Sequence, residues 1–340
     1  MQSKIEGCLF GMALGDALGA KTEFLRYENI IEKYGKNGIQ ELEDNPALVT
    51  DDTQMAIAVA QALVEAPRPY TYLTLEPILQ KHFIAWYQSP ENNRAPGMTC
   101  LTSIEQMMVG EKTDLSWHST TNMNSKGCGA NMRVQAVGLL PDDEVTRAGI
   151  AQLQSALTHA HPTALTAADM TAWVVHDLAH NGNIATLVDR CITYAQSQSH
   201  IYHMDWLGKL HERNNVANSP NDYIKRGWDE LTDSLYKVQS AIATPNYHAD
   251  PCLATGEGWI AEEAFATALY CFLLYPDNPI QVIRRGANSS GDSDSIACIA
   301  GAFAGAYHGI DGWQSDWINH IEYREELQLL ADKLTNLHAI

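Results

Sequence analysis

The chain has 340 residues, of which 45% are hydrophobic and 19% charged, enough to bury a large core. Acids outnumber bases 41 to 22, for a formal charge of -19, and no Lys/Arg cluster stands out, which argues against a nucleic-acid partner. No apolar run is long enough to span a bilayer and no basic segment followed by a cleavable apolar one opens the chain, so the expectation is a soluble cytoplasmic protein without a membrane partner.

Residues 4–20 read as a helix in which Gly7, Gly11, Gly15 and Gly19 recur every fourth position and line one face. Each glycine costs about 1 kcal/mol relative to alanine in a helix, so a helix keeping four of them is expected to be buried and closely approached. Asp16 and Glu23 lie near its end. Asp16 reads first as a polar group satisfying a helix terminus, and Glu23 is open between surface and site.

Residues 25–48 read as a short helix plus loop, with Gly35, Gly38 and Pro46 as breakers. Thr50 is a favourable N-cap, and Asp51 and Asp52 fall in the first turn of the next helix, where the helix dipole favours acids. Capping explains one threonine and one aspartate. Adjacent residues on a helix point about 100° apart, so both acids can face one ion only where the backbone is still turning into the helix. Met55 to Val64 continues that helix. A further helix ends at His82 to Tyr87 before Pro90, and residues 91–97 form a loop.

The stretch Asn124 to Arg133 is a Gly-rich turn leading into an apolar run, Val134 to Leu140. Glycines before a helix start expose backbone N–H groups that suit a phosphate, although such a loop is more often a plain turn. Pro141 to Glu144 starts the next helix. His159 and His161, two apart with no third His or Cys nearby, read as loop histidines making local hydrogen bonds before the helix Ala164 to Leu178. Residues 196–250 are uneven and polar and read as helices with loops, with 196–255 a candidate variable insertion; the variable loops within 88–125 and 196–255 are read as shaping target selection.

Helices are then expected over Ala261 to Leu274 and over residues 279–287, where Pro279 is a favourable first residue. Asn288 to Ser295 carries a second acid pair, Asp292 and Asp294, and opens a helix Ile296 to Tyr307 that holds Gly301 and Gly305. Alternating strand patterns are absent. The seven cysteines are scattered without a Cys-x-x-Cys pair, so neither a disulfide framework nor a zinc site is indicated. The fold class expected is all-α, one compact domain over 1–340. Four aspartates brought together would repel, and divalent cations are the usual remedy.

Several separated segments agree with one family. They are Gly15-Asp16-Ala17-Leu18-Gly19 with Glu23, Thr50-Asp51-Asp52-Thr53, Arg94-Ala95-Pro96-Gly97, Gly127 to Arg133, Thr158-His159 with His161-Pro162, and Gly291 to Ser295. In this order and spacing the chain resembles the ADP-ribosylglycohydrolases, the group that includes dinitrogenase-reductase-activating glycohydrolase, and looks most like its ADP-ribosylarginine hydrolase branch. Ser290 departs from the family pattern, which has a glycine there, but leaves every acid intact.

The resemblance implies an all-α globule around a binuclear Mg2+ or Mn2+ site. Its ligands would be Thr50, Asp51, Asp52, Asp292, Asp294 and Ser295, all oxygen donors as hard cations require. Gly127, Cys128, Gly129 and Asn131 would cradle the diphosphate. Glu23 would sit beside the metals, and His159 would approach the distal ribose. The implied reaction hydrolyses the N-glycosidic bond between ADP-ribose and a protein side chain, most readily arginine, with Asp52, Asp294 and Glu23 as the candidate acids and bases. The partners are then an ADP-ribosylated protein and the ADP-ribose product, with a toxin added if the chain is an immunity protein. The rival readings are a two-metal nucleotide phosphohydrolase and a non-catalytic ADP-ribose-binding or structural relative.

Overall fold

The computed structural model describes residues 1–113, 116–180, 182–214 and 217–339. Helices carry the architecture, and among the described residues the only β features are three isolated bridges. The longer helices are α1 (Gln2–Gly19), α2 (Tyr27–Tyr34), α3 (Asp51–Glu65), α4 (Tyr72–Gln88) and α5 (Met98–Thr113). They continue with α6 (Glu144–Ala156), α7 (Pro162–Ala179), α8 (Leu187–Gln198) and α9 (Pro220–Ala243). The C-terminal part adds α10 (Ala261–Leu274), α11 (Pro279–Ala287), α12 (Ser293–His308) and α13 (Arg324–Asn336). The all-α expectation holds.

The glycine face of α1 packs against α12. A Cβ on Gly7 would lie 2.6 Å from the Gly305 carbonyl oxygen, one on Gly11 2.4 Å from that of Gly301, and one on Gly15 2.0 Å from that of Ala297. As the residue number rises on α1 it falls on α12, so the pair is antiparallel and in backbone-to-backbone contact. The contact ends where a Cβ on Gly19 would lie 2.4 Å from the Asp294 Cα. The last turn of α1, and Glu23 beyond it, is thereby held at the first turn of α12. Thr22 fixes this corner by donating from its hydroxyl to the Ala287 carbonyl at 2.6 Å, at the end of α11.

Replacing Gly15 by alanine should therefore drive α1 and α12 apart. Overpacking of this kind costs about 1–3 kcal/mol or more, against a helix-propensity gain of at most about 1 kcal/mol. The expected result is a lower melting temperature and a weaker thermal shift on adding Mg2+ or Mn2+, both readable by differential scanning fluorimetry. An unchanged melting temperature would show that the close approach is not needed.

One stretch differs from the sequence-based expectation. The span 88–125 is not all loop, because α5 occupies Met98–Thr113 and buries Cys100, Ile104 and Met107. Within 196–255 the expected helices form. There α9 buries Tyr223, Trp228, Leu231 and Leu235 and packs on α7 and α10. No described helix is long and apolar enough to cross a membrane.

Candidate active site

The start of α3 is built by a residue of another helix. Asp16, fully buried within α1, accepts from the Thr50 backbone N–H at 3.1 Å, the Thr50 hydroxyl at 2.8 Å, the Thr53 N–H at 3.0 Å and the Thr53 hydroxyl at 2.6 Å. It satisfies a helix terminus, as the sequence suggested, but the terminus is that of α3. Thr50 is the N-cap and accepts from the Asp52 N–H at 3.3 Å. From the other side, Arg94 donates to the Val49 carbonyl at 2.7 Å and pairs with Glu322 at 2.8 Å, while Glu322 accepts from the Val49 N–H at 3.1 Å. The Gly97 N–H donates to Asp51 Oδ2 at 3.3 Å. The 91–97 loop thus clamps the chain just ahead of the acid pair and holds Asp51 itself.

The start of α12 is shaped by Gly291, which has φ +90° and lies so close to residue 257 that a Cβ would be 2.3 Å from the Glu257 carbonyl oxygen. That backbone conformation favours glycine. The Asp292 N–H then donates to the same carbonyl at 2.9 Å. Ser290, where the resembled family has glycine, is accommodated because its hydroxyl accepts from the Tyr27 N–H at 2.9 Å. Asp292 is the N-cap residue of α12 and Asp294 falls in its first turn.

The two helix starts meet in one cleft of about 360 Å³. Asp51, Asp52, Asp292, Asp294, Ser295 and Glu23 line it, together with Gly127, Cys128, Gly129 and His159. Carboxylate oxygens of Glu23, Asp292 and Asp294 come within 4.8 Å of one another. Burial pushes Asp51, Asp52 and Asp292 well above the usual carboxylate range, and the neighbouring Asp294 carboxylate adds to the shift in each. Burial and the same neighbour push Glu23 up to about 9. No lysine or arginine forms an ion pair with any of the five among the described residues. Asp52 Oδ2 is buried without a hydrogen-bond partner.

Uncompensated carboxylates around an orphaned acceptor leave a positive charge to be supplied from outside. The donors are all oxygen, which fits a hard divalent cation such as Mg2+ or Mn2+. Of the six ligands expected from sequence, Asp51, Asp52, Asp292, Asp294 and Ser295 line the cleft and Thr50 does not, its hydroxyl being engaged by Asp16 and the Asp52 amide. Glu23 lies among the acids rather than on the surface.

The glycine loop departs from the simple anion-cradle picture. The helix expected after it shrinks to a three-residue 3-10 turn, Cys128–Ala130, and one four-residue turn, Gln135–Gly138. The Cys128 N–H donates to the Trp259 carbonyl at 3.2 Å and is taken. Asn131 is buried behind the loop, donating to the Ala261 carbonyl at 3.2 Å, and does not line the cleft. Gly129 matters for proximity, because a Cβ there would lie 3.0 Å from His159 Cε1 and 2.8 Å from Cys100 Sγ.

His159 shares a hydrogen bond with Thr158 Oγ1 through Nδ1 at 2.8 Å. Burial and the fully buried Arg133 hold its pKa down, to about 3, so the ring is neutral at physiological pH. His161 instead caps α7, accepting from the Thr163 N–H at 3.2 Å, and the two histidines form no joint site.

Sequence reasoning missed an aromatic lip. Phe24, with φ +64°, turns the chain immediately after Glu23, and its ring stacks on Trp259 with centroids 5.5 Å apart and an interplanar angle of 19°. Both rings line the cleft and are exposed, Phe24 by 66% and Trp259 by 39%. The sequence signal was slight, Phe24 directly after Glu23 and Trp259 two residues after Glu257, and the two segments lie far apart in the chain.

The chain is all-α, and two of its helix starts bring their acids into one cleft with a glycine loop. The family model for ADP-ribosylglycohydrolases matches residues 1–339, and the chain belongs to that family. Family members remove ADP-ribose from modified substrates and depend on a metal. The chain is 26% identical to ADP-ribosylhydrolase ARH3 of Homo sapiens, with 98% of this chain and 93% of the relative covered. It is 24% identical to ADP-ribosylarginine hydrolase Tri1 of Serratia proteamaculans, with 97% and 78% covered. A solved structure described as an ADP-ribosylglycohydrolase-related protein complex has the same fold, with a TM-score of 0.67 at 20% identity over 99% of this chain and 98% of that one.

Proposed function

We propose that this chain hydrolyses the N-glycosidic bond joining ADP-ribose to arginine in modified proteins, with two divalent cations held by Asp51, Asp52, Asp292, Asp294 and Ser295, the first four as carboxylates and the last as a hydroxyl. The observation that carries the reading is the meeting of both acid pairs and Glu23 in a cleft that is also lined by a glycine loop and a neutral histidine. The arginine linkage is supported by the stacked Phe24–Trp259 lip beside the acids, because a planar cationic guanidinium suits aromatic faces and carboxylates together. It is supported also by the relatives named as arginine hydrolases.

The cations, when bound, would lower the pKa of a water and orient ribose hydroxyls. The chain's own residues do the rest. Glu23, the least buried of the acids and the neighbour of Phe24 in the chain, would protonate the departing guanidine nitrogen. Asp52, with its unpartnered Oδ2, and Asp294 would orient the attacking water and stabilise positive charge developing at the anomeric carbon. Gly127 and Gly129 let the diphosphate approach the loop closely, and His159 offers a neutral Nε2 toward the distal ribose.

Free ADP-ribose should be released from arginine-modified protein in Mg2+ or Mn2+, and the double variant Asp51→Ala with Asp52→Ala should lose that release. A panel of arginine, serine and aspartate linkages and O-acetyl-ADP-ribose reads the specificity. Release from serine but not arginine moves the linkage and keeps the hydrolase. AMP as product supports a phosphohydrolase instead, and no turnover of any substrate with either cation sinks the reading.

A further inference from the structure

A second pocket, of about 380 Å³, lies apart from the acidic cleft and shares no lining residue with it. It is formed by the start of α2, the segment after it, the 247–248 loop and one face of α11. Its lining includes Lys36, Arg284 and Arg285 and contains no acidic residue. In a chain with only 22 basic residues and a formal charge of -19, that concentration of positive charge is unusual.

Two of the three charges lack a counter-ion. Arg285 is only 7% exposed, its Nε has no hydrogen-bond partner, and no carboxylate pairs with it among the described residues. Its remaining bonds run to backbone carbonyls, that of Asn246 at 3.4 Å and that of Ala249. Lys36 is exposed and has no acidic partner among the described residues. Arg284 is already paired with Glu41 at 2.8 Å. A guanidinium that is buried, partly unbonded and without an anion is costly, and the arrangement that relieves it is a bound anion.

The rest of the lining selects the kind of anion. Tyr27, Tyr247 and Tyr275 stand around the same space. Tyr247 and Tyr275 meet edge to face with centroids 5.5 Å apart, and Tyr247 is 45% exposed. The Tyr27 hydroxyl is held by the His248 carbonyl at 2.8 Å, which fixes its ring at the wall. Rings around a buried guanidinium without a counter-ion, with a lysine in the same lining, suit a ligand with a planar aromatic part and a phosphate. The volume falls within the range of small-molecule sites.

We propose that this pocket binds a nucleoside phosphate, with the phosphate on Arg285 and Lys36 and the base against the tyrosines. It is a site distinct from the acidic cleft and does not depend on the hydrolase reading.

The test is calorimetric titration of AMP, ADP, ATP and inorganic phosphate into the full chain in EDTA. EDTA removes the cations the acidic cleft uses, and Lys36 and Tyr247, which line only the second pocket, assign the binding to it. A nucleotide should bind, and Lys36→Ala should weaken it about tenfold, the loss of one charge-assisted contact. Tyr247→Ala should weaken nucleotide but not inorganic phosphate. Arg285→Gln should weaken both, and the exposed Lys36 and Tyr247 variants keep the test valid if that protein does not fold. Absence of nucleotide binding at millimolar concentration overturns the proposal, as does binding indifferent to both exposed variants. Inorganic phosphate binding as tightly as nucleotide overturns the assignment of the base to the tyrosines.

Discussion

Asp294→Asn is expected to abolish turnover while raising the melting temperature of the cation-free protein. Asp294 is the neighbour that raises Glu23, Asp51, Asp52 and Asp292 alike, and its carboxylate lies within 4.8 Å of those of Glu23 and Asp292. At that separation two charges in a partly buried site repel by on the order of 1–3 kcal/mol. Asparagine keeps the size, removes the charge and offers an N–H to an adjacent carboxylate. The cation-free variant should melt roughly 1–4 °C higher. The same substitution removes a cation ligand and a group that stabilises developing positive charge, so turnover should fall by at least about 10²-fold.

The cation itself supplies the second readout. A ligand present at about 100 times its Kd stabilises the folded state by about 2.7 kcal/mol, so the wild type should gain several degrees on adding Mg2+ or Mn2+. The variant should gain little. A variant that keeps more than about a tenth of the activity, or that melts below the wild type in EDTA, would falsify the view that these acids are assembled for a cation at a cost in stability.

Much of this site was legible because its parts obey local rules. Thr50 caps a helix, Asp51 and Asp52 occupy its first turn, and Asp292 and Asp294 do the same at α12. The four-residue glycine spacing in α1 announced a close neighbour, although only the structure shows that the neighbour is α12. What stayed hidden depends on contacts distant in sequence. The tie between the Cys128 amide and the Trp259 carbonyl takes a donor from the glycine loop, and nothing near residue 128 announces it. The Phe24–Trp259 lip likewise joins two distant segments. The missed α5 is different, since Cys100, Ile104 and Met107 fall at helical spacing and the signal was present. The Arg285 pocket draws on four segments, none of which carries a motif.

Asp16→Ala should move the cation-free melting temperature the opposite way from Asp294→Asn. Both are buried aspartates in the same corner of the fold, but Asp16 is met by donors and Asp294 by other acids. Removing Asp16 leaves the Thr50 and Thr53 amides and hydroxyls without the acceptor they share. Orphaned buried donors at a helix start cost about 1–3 kcal/mol each at most, and together about 3 kcal/mol or more after relaxation. A loss of roughly 4 °C or more is expected. Asp16→Asn should recover only part, because whichever way the amide is turned its N–H₂ faces either the Thr50 or the Thr53 amide. The start of α3 carries Asp51 and Asp52, so the Mg2+-induced thermal shift should shrink as well, although Asp16 does not line the cleft. If Asp16→Ala keeps the wild-type cation response, the start of α3 is held by the Arg94–Glu322 clamp alone and Asp16 is dispensable. If both melting temperature and cation response fall, the acid inside α1 is what sets the second acid pair in register with the first.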